Sequence, residues 1–211
     1  MEVNKNTITS LSIGLLGDST VGKTAIVQSI MNIEFSKDML GTIGSEKLER
    51  RFKLKNNKEI KLVFWDNSGN ERFRAIGLKS MKFAQGIMLI FDLTQKRSFD
   101  DLNIWLDLIK DNLNDPLIIL IGNKADEDKY RWEVTSEEAS KFAEKYHFAY
   151  FETSALTRQG INEGLSYLVN AIYDKIMGID EKDKVMDIND IKKSNKNSNC
   201  AGNKNGKNNK K

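Results

Sequence analysis

The stretch Gly17-Asp18-Ser19-Thr20-Val21-Gly22-Lys23-Thr24 fits the pattern G-x-x-x-x-G-K-[ST] of a phosphate-binding loop. An apolar strand pattern ends just before it, and apolar residues at helical spacing follow it. Such a loop directs several backbone N–H groups and the positive end of a helix dipole into one concavity, which suits a polyphosphate. The motif therefore predicts nucleotide contacts from Asp18, Ser19, Thr20, Val21, Gly22, Lys23, Thr24 and Ala25.

Two side chains of this loop have distinct predicted tasks. Lys23 would reach the outer phosphates, and the Thr24 hydroxyl would bind a magnesium ion. Coincidence is the alternative, and average residue frequencies give roughly 1% for a chance match somewhere in a chain of this length. The loop alone does not choose between ATP and GTP, or between a kinase, a motor and a switch.

Composition indicates an ordinary globular domain with room for a core, since 39% of the 211 residues are hydrophobic and 30% are charged. No apolar run is long enough to span a membrane, so we expect a cytoplasmic protein. The single cysteine, Cys200, excludes an internal disulfide and a cysteine-based metal cluster. The single histidine, His147, is expected at the surface or at a strand edge rather than in catalysis.

Apolar patterns alternate between strand and helix along the chain. We expect a hairpin that turns at Asn56-Asn57, a capping box that begins at Thr135, and core positions for Trp65, Trp105 and Trp132. The alternation predicts an α/β fold, a mostly parallel sheet wrapped by helices with its ligand at the carboxyl ends of the strands. Beyond the first strand and helix, strands are predicted at 51–54, 60–66, 86–92, 117–122 and 148–152, and helices at 97–112, 135–146 and 161–177.

The C-terminal segment differs in kind from the rest. Residues 192–211 contain seven lysines and no acidic residue, so a disordered Lys/Asn-rich tail is predicted over 179–211, after a domain over 8–178. Removing those seven charges from the net +3 leaves −4, which argues against nucleic-acid binding by the domain. The tail would either attract anionic lipid, giving peripheral membrane contact, or only solubilise the protein.

Asp66-Asn67-Ser68-Gly69 follows a predicted strand that would lie beside the first one. A second carboxylate, Asp66, is needed there to hold magnesium opposite Thr24, usually through water. Gly69 would let its backbone N–H approach the terminal phosphate. A D-x-x-G motif by itself is a weak signal, so this assignment depends on its place at the end of a strand.

Asn123-Lys124-Ala125-Asp126 follows the apolar strand 117–122 and predicts guanine recognition. Guanine presents a ring N–H and an exocyclic amine side by side, and the carboxylate of Asp126 would accept both, whereas adenine has no such donor pair. Lys124 would lie along the base, and Asn123 would hold the base and tie its loop to the phosphate loop. After the last strand, Ser154 and Ala155 would bring the Ala155 N–H to the guanine carbonyl.

With these four motifs in order, the chain resembles the small GTPases of the Ras superfamily, and the Rab family within it, over about residues 8–178. The strings that carry the resemblance are Thr42-Ile43-Gly44, Lys61-Leu62-Val63-Phe64-Trp65-Asp66, Glu71-Arg72-Phe73-Arg74-Ala75-Ile76, Phe91-Asp92-Leu93-Thr94, Gly122-Asn123-Lys124-Ala125-Asp126 and Glu152-Thr153-Ser154-Ala155-Leu156.

The resemblance implies a P-loop NTPase G domain, with a mostly parallel six-stranded sheet and helices on both faces, that binds GTP or GDP and Mg²⁺. It implies that Thr42 joins Thr24 and Asp66 at the metal, that Phe35 packs on guanine, and that Leu156 belongs to the nucleotide site. The catalytic set it implies is Lys23, Thr42, Gly69 and Asn70.

The resemblance further implies a monomer that acts in vesicle trafficking. An exchange factor, a GTPase-activating protein and effectors would bind it through residues 37–48 and 67–81. Three departures put ordinary Rab partners and the lipid anchor in doubt. Ser45-Glu46-Lys47 replaces apolar and aromatic residues, Ser80-Met81 replaces a tyrosine pair, and Cys200 fits no C-terminal prenylation pattern. Cys200 would be either palmitoylated beside lysines or a plain thiol, and we expect no firm lipid anchor.

The leading hypothesis is a Rab-like GTP/GDP switch with slow intrinsic hydrolysis. An alternative of another class is a GTP-binding scaffold with little or no hydrolysis, which single-turnover kinetics would distinguish. A P-loop kinase or ATPase is a third hypothesis, and the sequence from Asn123 to Asp126 disfavours it.

We predict that Asn70→Gln accelerates single-turnover GTP hydrolysis while GTP affinity changes little. By the resemblance, a glutamine at this place positions the attacking water, and asparagine is one methylene, about 1.5 Å, shorter; a misplacement near 1 Å can cost on the order of 10²-fold in rate. Rapid-quench measurements on the two proteins test this. A variant no faster than the original chain would mean that another residue, such as Ser68 or Thr20, positions the water.

Overall fold

The computed structural model describes residues 8–34, 42, 44–67 and 74–179. By its internal contacts the chain divides into two units, Met1–Tyr173 and Asp174–Lys211. Of the second unit, only residues 174–179 are described, and they include the last turn of a helix. The lysine-rich tail and Cys200 lie outside the described residues, so the tail's predicted disorder stays a prediction.

The described part of the chain contains six strands and six α-helices. The strands are β1 Ser10–Leu16, β2 Ser45–Lys53, β3 Glu59–Asn67, β4 Gly86–Asp92, β5 Leu117–Asn123 and β6 Ala149–Thr153. The helices are α1 Lys23–Ile30, α2 Arg74–Ser80, α3 Lys96–Asp100, α4 Leu102–Asn112, α5 Ser136–Tyr146 and α6 Ile161–Met177, with one 3₁₀ turn at Lys129–Arg131.

The strands form one sheet in the order β2-β3-β1-β4-β5-β6. Only the β2–β3 pair is antiparallel, and the other four pairs are parallel. The predicted α/β fold with a mostly parallel six-stranded sheet is confirmed. Every residue of β4 is buried, as expected for a central strand that is covered on both faces.

Helices pack on both faces of this sheet. On one face, Leu89 and Phe91 of β4 share a core with Leu78 of α2 and with Trp105 of α4. On the other face, Gly86 lies so close to α6 that an added Cβ would come within 2.6 Å of Ile172. This face also carries α1, whose Ile30 carbonyl accepts a hydrogen bond from Arg50 of β2.

The antiparallel hairpin is longer than the sequence predicted. Strand β2 begins at Ser45, six residues before the predicted start, and pairs along its whole length with β3. Its first residues are polar and exposed, so no buried apolar alternation marks them as strand. The predicted turn is present, with Asn57 in the left-handed conformation at φ 65° and its N–H bonded to the Leu54 carbonyl.

The helix predicted at 97–112 is interrupted at one residue. Asp101 ends α3 and begins α4, and its carbonyl accepts from the N–H groups of both Ile104 and Trp105. The apolar periodicity continues across this turn, so the pattern gave no sign of the break. His147 is exposed and ends α5 in the left-handed conformation at φ 58°, just before β6. No helix among the described residues is long and apolar enough to cross a membrane.

We predict that Thr135→Ala lowers the free energy of unfolding by about 1 kcal/mol. The Thr135 hydroxyl accepts from the Glu138 N–H at 3.1 Å and the Glu138 carboxylate accepts from the Thr135 N–H, which is the predicted capping box. Thr135→Ser keeps the hydroxyl and serves as the control in chemical denaturation. Equal stability of the alanine and serine variants would contradict a capping role.

Candidate functional site

Five parallel strands bring their carboxyl ends to the same edge of the sheet. The loops after β1, β3, β4, β5 and β6 therefore meet there, and they contain the residues singled out by the sequence. A polar group is buried at the end of each of these strands after β1: Asp66, Asp92, Asn123 and Thr153. Buried polar groups need partners, and each of these four forms a hydrogen bond or ion pair with a residue of the surrounding loops, strands or helix α1.

The loop between β1 and α1 is held in a shape that two glycines permit. Gly17 has φ 141°, and a Cβ on it would lie 2.0 Å from the Ile90 carbonyl oxygen of β4. Gly22 caps α1 at φ 97°, and no side chain caps this helix among the described residues. The first N–H groups of α1 thus face the loop without a side-chain acceptor, the arrangement that suits a phosphate.

The ammonium of Lys23 lies across this loop. It is buried, and it donates to the carbonyl oxygens of Gly17 at 2.9 Å and Asp18 at 2.6 Å. These contacts place a positive charge within the loop, and the predicted contact of Lys23 with the outer phosphates stays a prediction. Ser19 and Thr20 are exposed, and Thr20 adopts the left-handed conformation at φ 68°.

Three oxygen-bearing side chains converge beside the loop. The Thr24 hydroxyl donates to Asp66 Oδ2 at 2.5 Å and lies 2.7 Å from the hydroxyl oxygen of Thr42. The Thr42 hydroxyl lies 3.4 Å from the same carboxylate oxygen. The structure therefore brings together all three predicted metal ligands, although they come from α1, β3 and the segment before β2.

The donor set fits a magnesium ion. Asp66 is completely buried, and its Oδ1 has no hydrogen-bond partner among the residues described. Burial raises the pKa of Asp66, although hydrogen bonding from Thr24 and the charge on Lys23 act against that rise. Two hydroxyls and a carboxylate are hard oxygen ligands, and a buried, unsatisfied carboxylate oxygen is the kind of group that a divalent cation satisfies.

The loops after β5 and β6 form a second group of site residues, which we call the guanine corner after its predicted role: Lys124, Asp126, Ser154 and Ala155. The Ser154 hydroxyl donates to Asp126 Oδ1 at 2.5 Å, while Asp126 itself is exposed. The ammonium of Lys124 lies 2.5 Å from Asp92 Oδ2, and Lys124 is left-handed at φ 67°. Ala155 is buried and Leu156 is half exposed. An exposed carboxylate fixed by a buried serine can accept the paired donors of a guanine edge.

Asn123 connects the guanine corner to the phosphate loop. Its Nδ2 donates to the Val21 carbonyl at 2.9 Å, and its Oδ1 accepts from the Thr153 hydroxyl at 3.1 Å. The tie to the phosphate loop that the sequence predicted is present. A Cβ on Gly22 would lie 2.3 Å from Asn123 Nδ2, so glycine at this position also keeps the bond possible.

Sequence reasoning missed two residues of the site. The indole N–H of Trp105 donates to Asp18 Oδ1 at 2.8 Å, so a helix of the core holds a phosphate-loop side chain. Asp92 pairs with Lys124 and accepts from the Thr94 N–H and hydroxyl. An acidic residue directly after the apolar strand β4 was the available signal for Asp92. Trp105 was assigned to the core, which is where it lies, and nothing in the sequence paired it with Asp18.

Three predicted site residues, Phe35, Gly69 and Asn70, lie outside the described residues, as does Ser68. Their assigned contacts stay predictions. Among the described residues, no three His, Cys, Asp or Glu side chains gather in a way that could hold a metal ion. The candidate metal ligands are therefore the hydroxyls and the one carboxylate named above.

Known proteins are similar to this chain over most of its length. A model of the Ras family matches residues 12–174. Rab-11B of Dictyostelium discoideum is 36% identical over 186 residues, which cover 88% of this chain and 82% of the relative. Rab-18 of Lymnaea stagnalis is 35% identical over 167 residues, or 78% and 81% of the two chains. Rab11A of Lotus japonicus is 37% identical over 161 residues, or 76% and 70%.

We predict that Trp105→Phe lowers the free energy of unfolding by about 1.5–3 kcal/mol, the usual range for a hydrogen bond to a charged group. Phenylalanine keeps most of the buried aromatic surface and removes the donor to Asp18. The control is Trp132→Phe, which removes a hydrogen bond to the uncharged Glu127 carbonyl, so a smaller loss of about 0.5–1.5 kcal/mol is expected.

Chemical denaturation of both variants measures these losses. A double-mutant cycle of Trp105→Phe with Asp18→Ala should show strong coupling, because both changes remove the same bond. Additive effects would show that Trp105 stabilises the chain through packing alone.

Proposed function

We propose, from the premise that this chain belongs to the Ras family and is a Rab-like small GTPase, that it acts as a GTP/GDP switch in vesicle trafficking. Its intrinsic hydrolysis of GTP is slow in this proposal, since Asn70 stands where family members mostly have glutamine. The relatives' names, Ras-related proteins of the Rab series, support the trafficking role.

One observation carries the proposal. The phosphate loop and the guanine corner are separate in the sequence by about a hundred residues, and the bond from Asn123 to the Val21 carbonyl joins them directly. A single nucleotide that spans both would place its base at Asp126 and its phosphates at Lys23. This geometry supports guanine over adenine, since a carboxylate held by Ser154 accepts a donor pair that adenine does not present.

The residues of the proposed site have different roles. The N–H groups from Asp18 to Ala25 bind the phosphates, and Lys23 balances their charge. Lys124 and Ala155 orient the base, with Phe35 packed against it. Magnesium, when bound by Thr24, Thr42 and Asp66, would supply charge neutralisation at the outer phosphates. Gly69 would donate its N–H to the terminal phosphate, and Asn70 would orient the attacking water.

The partner surface in this proposal comprises residues 37–48 and 67–81, which are expected to meet an exchange factor, a GTPase-activating protein and effectors. Within it, the hydroxyls of Ser45 and Ser80 lie 3.2 Å apart, and Ser80 also donates to the Gly77 carbonyl. Polar contacts thus join β2 to α2 at this place. Loss of the terminal phosphate would relax these segments and end partner binding.

A scaffold that binds GTP with little or no hydrolysis is a second candidate, and Asn70 favours it as much as it favours slow turnover. Single-turnover hydrolysis separates the two, because a switch must convert its bound GTP and a scaffold need not. Capture of partners from lysate by GTP-loaded and GDP-loaded protein gives the complementary result. A switch retains partners in one loaded form, whereas partners that bind both forms equally would overturn the switch.

We predict that Asp126→Asn weakens GTP binding by on the order of 10²-fold or more and shifts preference toward xanthosine triphosphate. The asparagine amide donates where guanine also donates, whereas xanthine offers a carbonyl at that place. The matched control is Asp128→Asn, an exposed carboxylate in the following turn, which should leave GTP affinity unchanged.

Competition titration with GTP, xanthosine triphosphate and ATP measures the preference. Equal binding of ATP and GTP by the unaltered chain would contradict the guanine site. An equal loss in both variants would show that general charge, rather than recognition at Asp126, explains the effect.

A further inference from the structure

Charge is distributed unevenly within the unit that carries the site. Residues 44–67 and 74–82 hold ten Lys and Arg against four Asp and Glu, a net charge of +6. Residues 83–173 hold nine against fifteen, a net charge of −6. The net charge of the whole chain, +3, does not reveal this asymmetry. The positive potential of the unit is concentrated on the hairpin of β2 and β3 and on α2.

Part of this charge lies on one exposed face of the hairpin. The register of β2 and β3 puts six charged residues on the same side of the two strands, and we call them the basic face: Lys47, Glu49, Arg51, Lys53, Glu59 and Lys61. All six side chains are exposed. Ser80 of α2 lies against Ser45 at the start of β2. Lys79 and Lys82, which flank Ser80 in the sequence, are also exposed.

The charges on this face are only partly balanced. Glu49 lies 2.8 Å from Lys47 and 3.2 Å from Lys61, so one carboxylate serves two ammonium groups, and hydrogen bonds from both lower the pKa of Glu49. Arg51 and Lys53 form no ion pair within the described part of the chain. Arg51 stands directly opposite Lys61 in the register, a like-charge pair that costs stability in a sheet.

We propose that the basic face docks an acidic, extended segment of a partner protein. This inference rests on the proposed function, because it names the chemistry of the partner that would bind at and beside the proposed partner surface, residues 37–48 and 67–81. Arg51 and Lys53 face the same side of β2 at about 6.8 Å, the spacing of like-facing side chains in an extended peptide. An anion between Arg51 and Lys61 would relieve their repulsion, and the half-buried Val63 and Trp65 offer apolar contact beside the charges.

A membrane is the less suitable occupant of this face. Glu49 and Glu59 lie among the cations, and each would approach anionic headgroups with a like charge. A peptide can place neutral residues or donors at those two positions, whereas a lipid surface cannot select them. The mixture of signs along β2, with Glu49 between Lys47 and Arg51, is therefore suited to a protein segment of matching pattern.

The test uses the full chain and a labelled peptide, Glu-Thr-Thr-Thr-Glu-Thr-Glu, whose carboxylates match the spacing of Lys47, Arg51 and Lys53. The same peptide with Gln in place of Glu is the neutral probe. The variant is Arg51→Glu with Lys53→Glu. The control, Arg97→Glu with Lys110→Glu, changes the same residue types by the same charge at exposed positions in the acidic half. Arg51→Glu replaces the like-charge pair with Lys61 by an opposite-charge pair, whereas Lys53→Glu places a carboxylate opposite Glu59. These two effects on stability should largely cancel, and chemical denaturation of both variants checks this.

Fluorescence anisotropy at low salt should show binding of the acidic probe that falls about tenfold in the Arg51 and Lys53 variant and little in the control. Backbone amide shifts on adding the probe should fall in β2 and β3. Equal weakening in both variants, binding of the neutral probe, or shifts confined to the lysine-rich tail would overturn the inference. Phosphatidylserine vesicles that bind through Arg51 and Lys53 while the peptide does not would also overturn it.

Failure of the docking inference is distinguishable from failure of the proposed function. Guanine nucleotide affinity, measured on the same samples, should be unaltered in both variants, since none of the four residues lies in the nucleotide loops. If the chain binds GTP but does not bind the acidic peptide as expected, only the docking inference is wrong. If the chain binds no guanine nucleotide, the proposed function is wrong, whether or not the peptide binds.

Discussion

The buried amide of Asn123 connects the loops on which the site depends. It donates to the Val21 carbonyl of the phosphate loop and accepts from Thr153 at the end of β6. A buried amide that lost either partner would carry the full cost of an unsatisfied polar group, typically about 1–3 kcal/mol. The two bonds therefore hold the loops after β1, β5 and β6 together, and the glycine at position 22 leaves room for the Asn123 amide.

Other buried groups hold this edge in the same way. Trp105 restrains Asp18, Asp92 restrains Lys124, and Ser154 restrains Asp126, each through a single short contact. In each pair one member lies within the core or at the end of a strand, and the other lies in a loop. The loops are therefore positioned by the rigid part of the molecule. Asp66 differs, because its Oδ1 is buried without a partner among the described residues, which is why it is a candidate ligand for the proposed cation.

The proposed partner surface, residues 37–48 and 67–81, differs from the proposed nucleotide site in how closely it follows the family pattern. The guanine corner and phosphate loop keep the residues that the family resemblance requires, whereas β2 begins with Ser45, Glu46 and Lys47, and α2 ends with Ser80. Hydroxyl and ion-pair contacts fill these positions, as seen between Ser45 and Ser80 and around Glu49. Such a chain can keep nucleotide chemistry while it changes the kind of partner that it recognises, because the two surfaces share few residues.

The sequence by itself predicted the ligand class and the residues of the proposed metal and guanine sites, and it determined most of the strands and helices. These features depend on local chemistry: glycines for a tight loop, apolar runs for buried strands, and a carboxylate for guanine. Only the tertiary structure decided that β2 extends back to Ser45, since pairing with β3 and not apolar burial makes that segment a strand. It also decided that Trp105 meets Asp18 and that Arg51 faces Lys61, because contacts across 87 residues or between opposite strands leave no periodic trace in the chain.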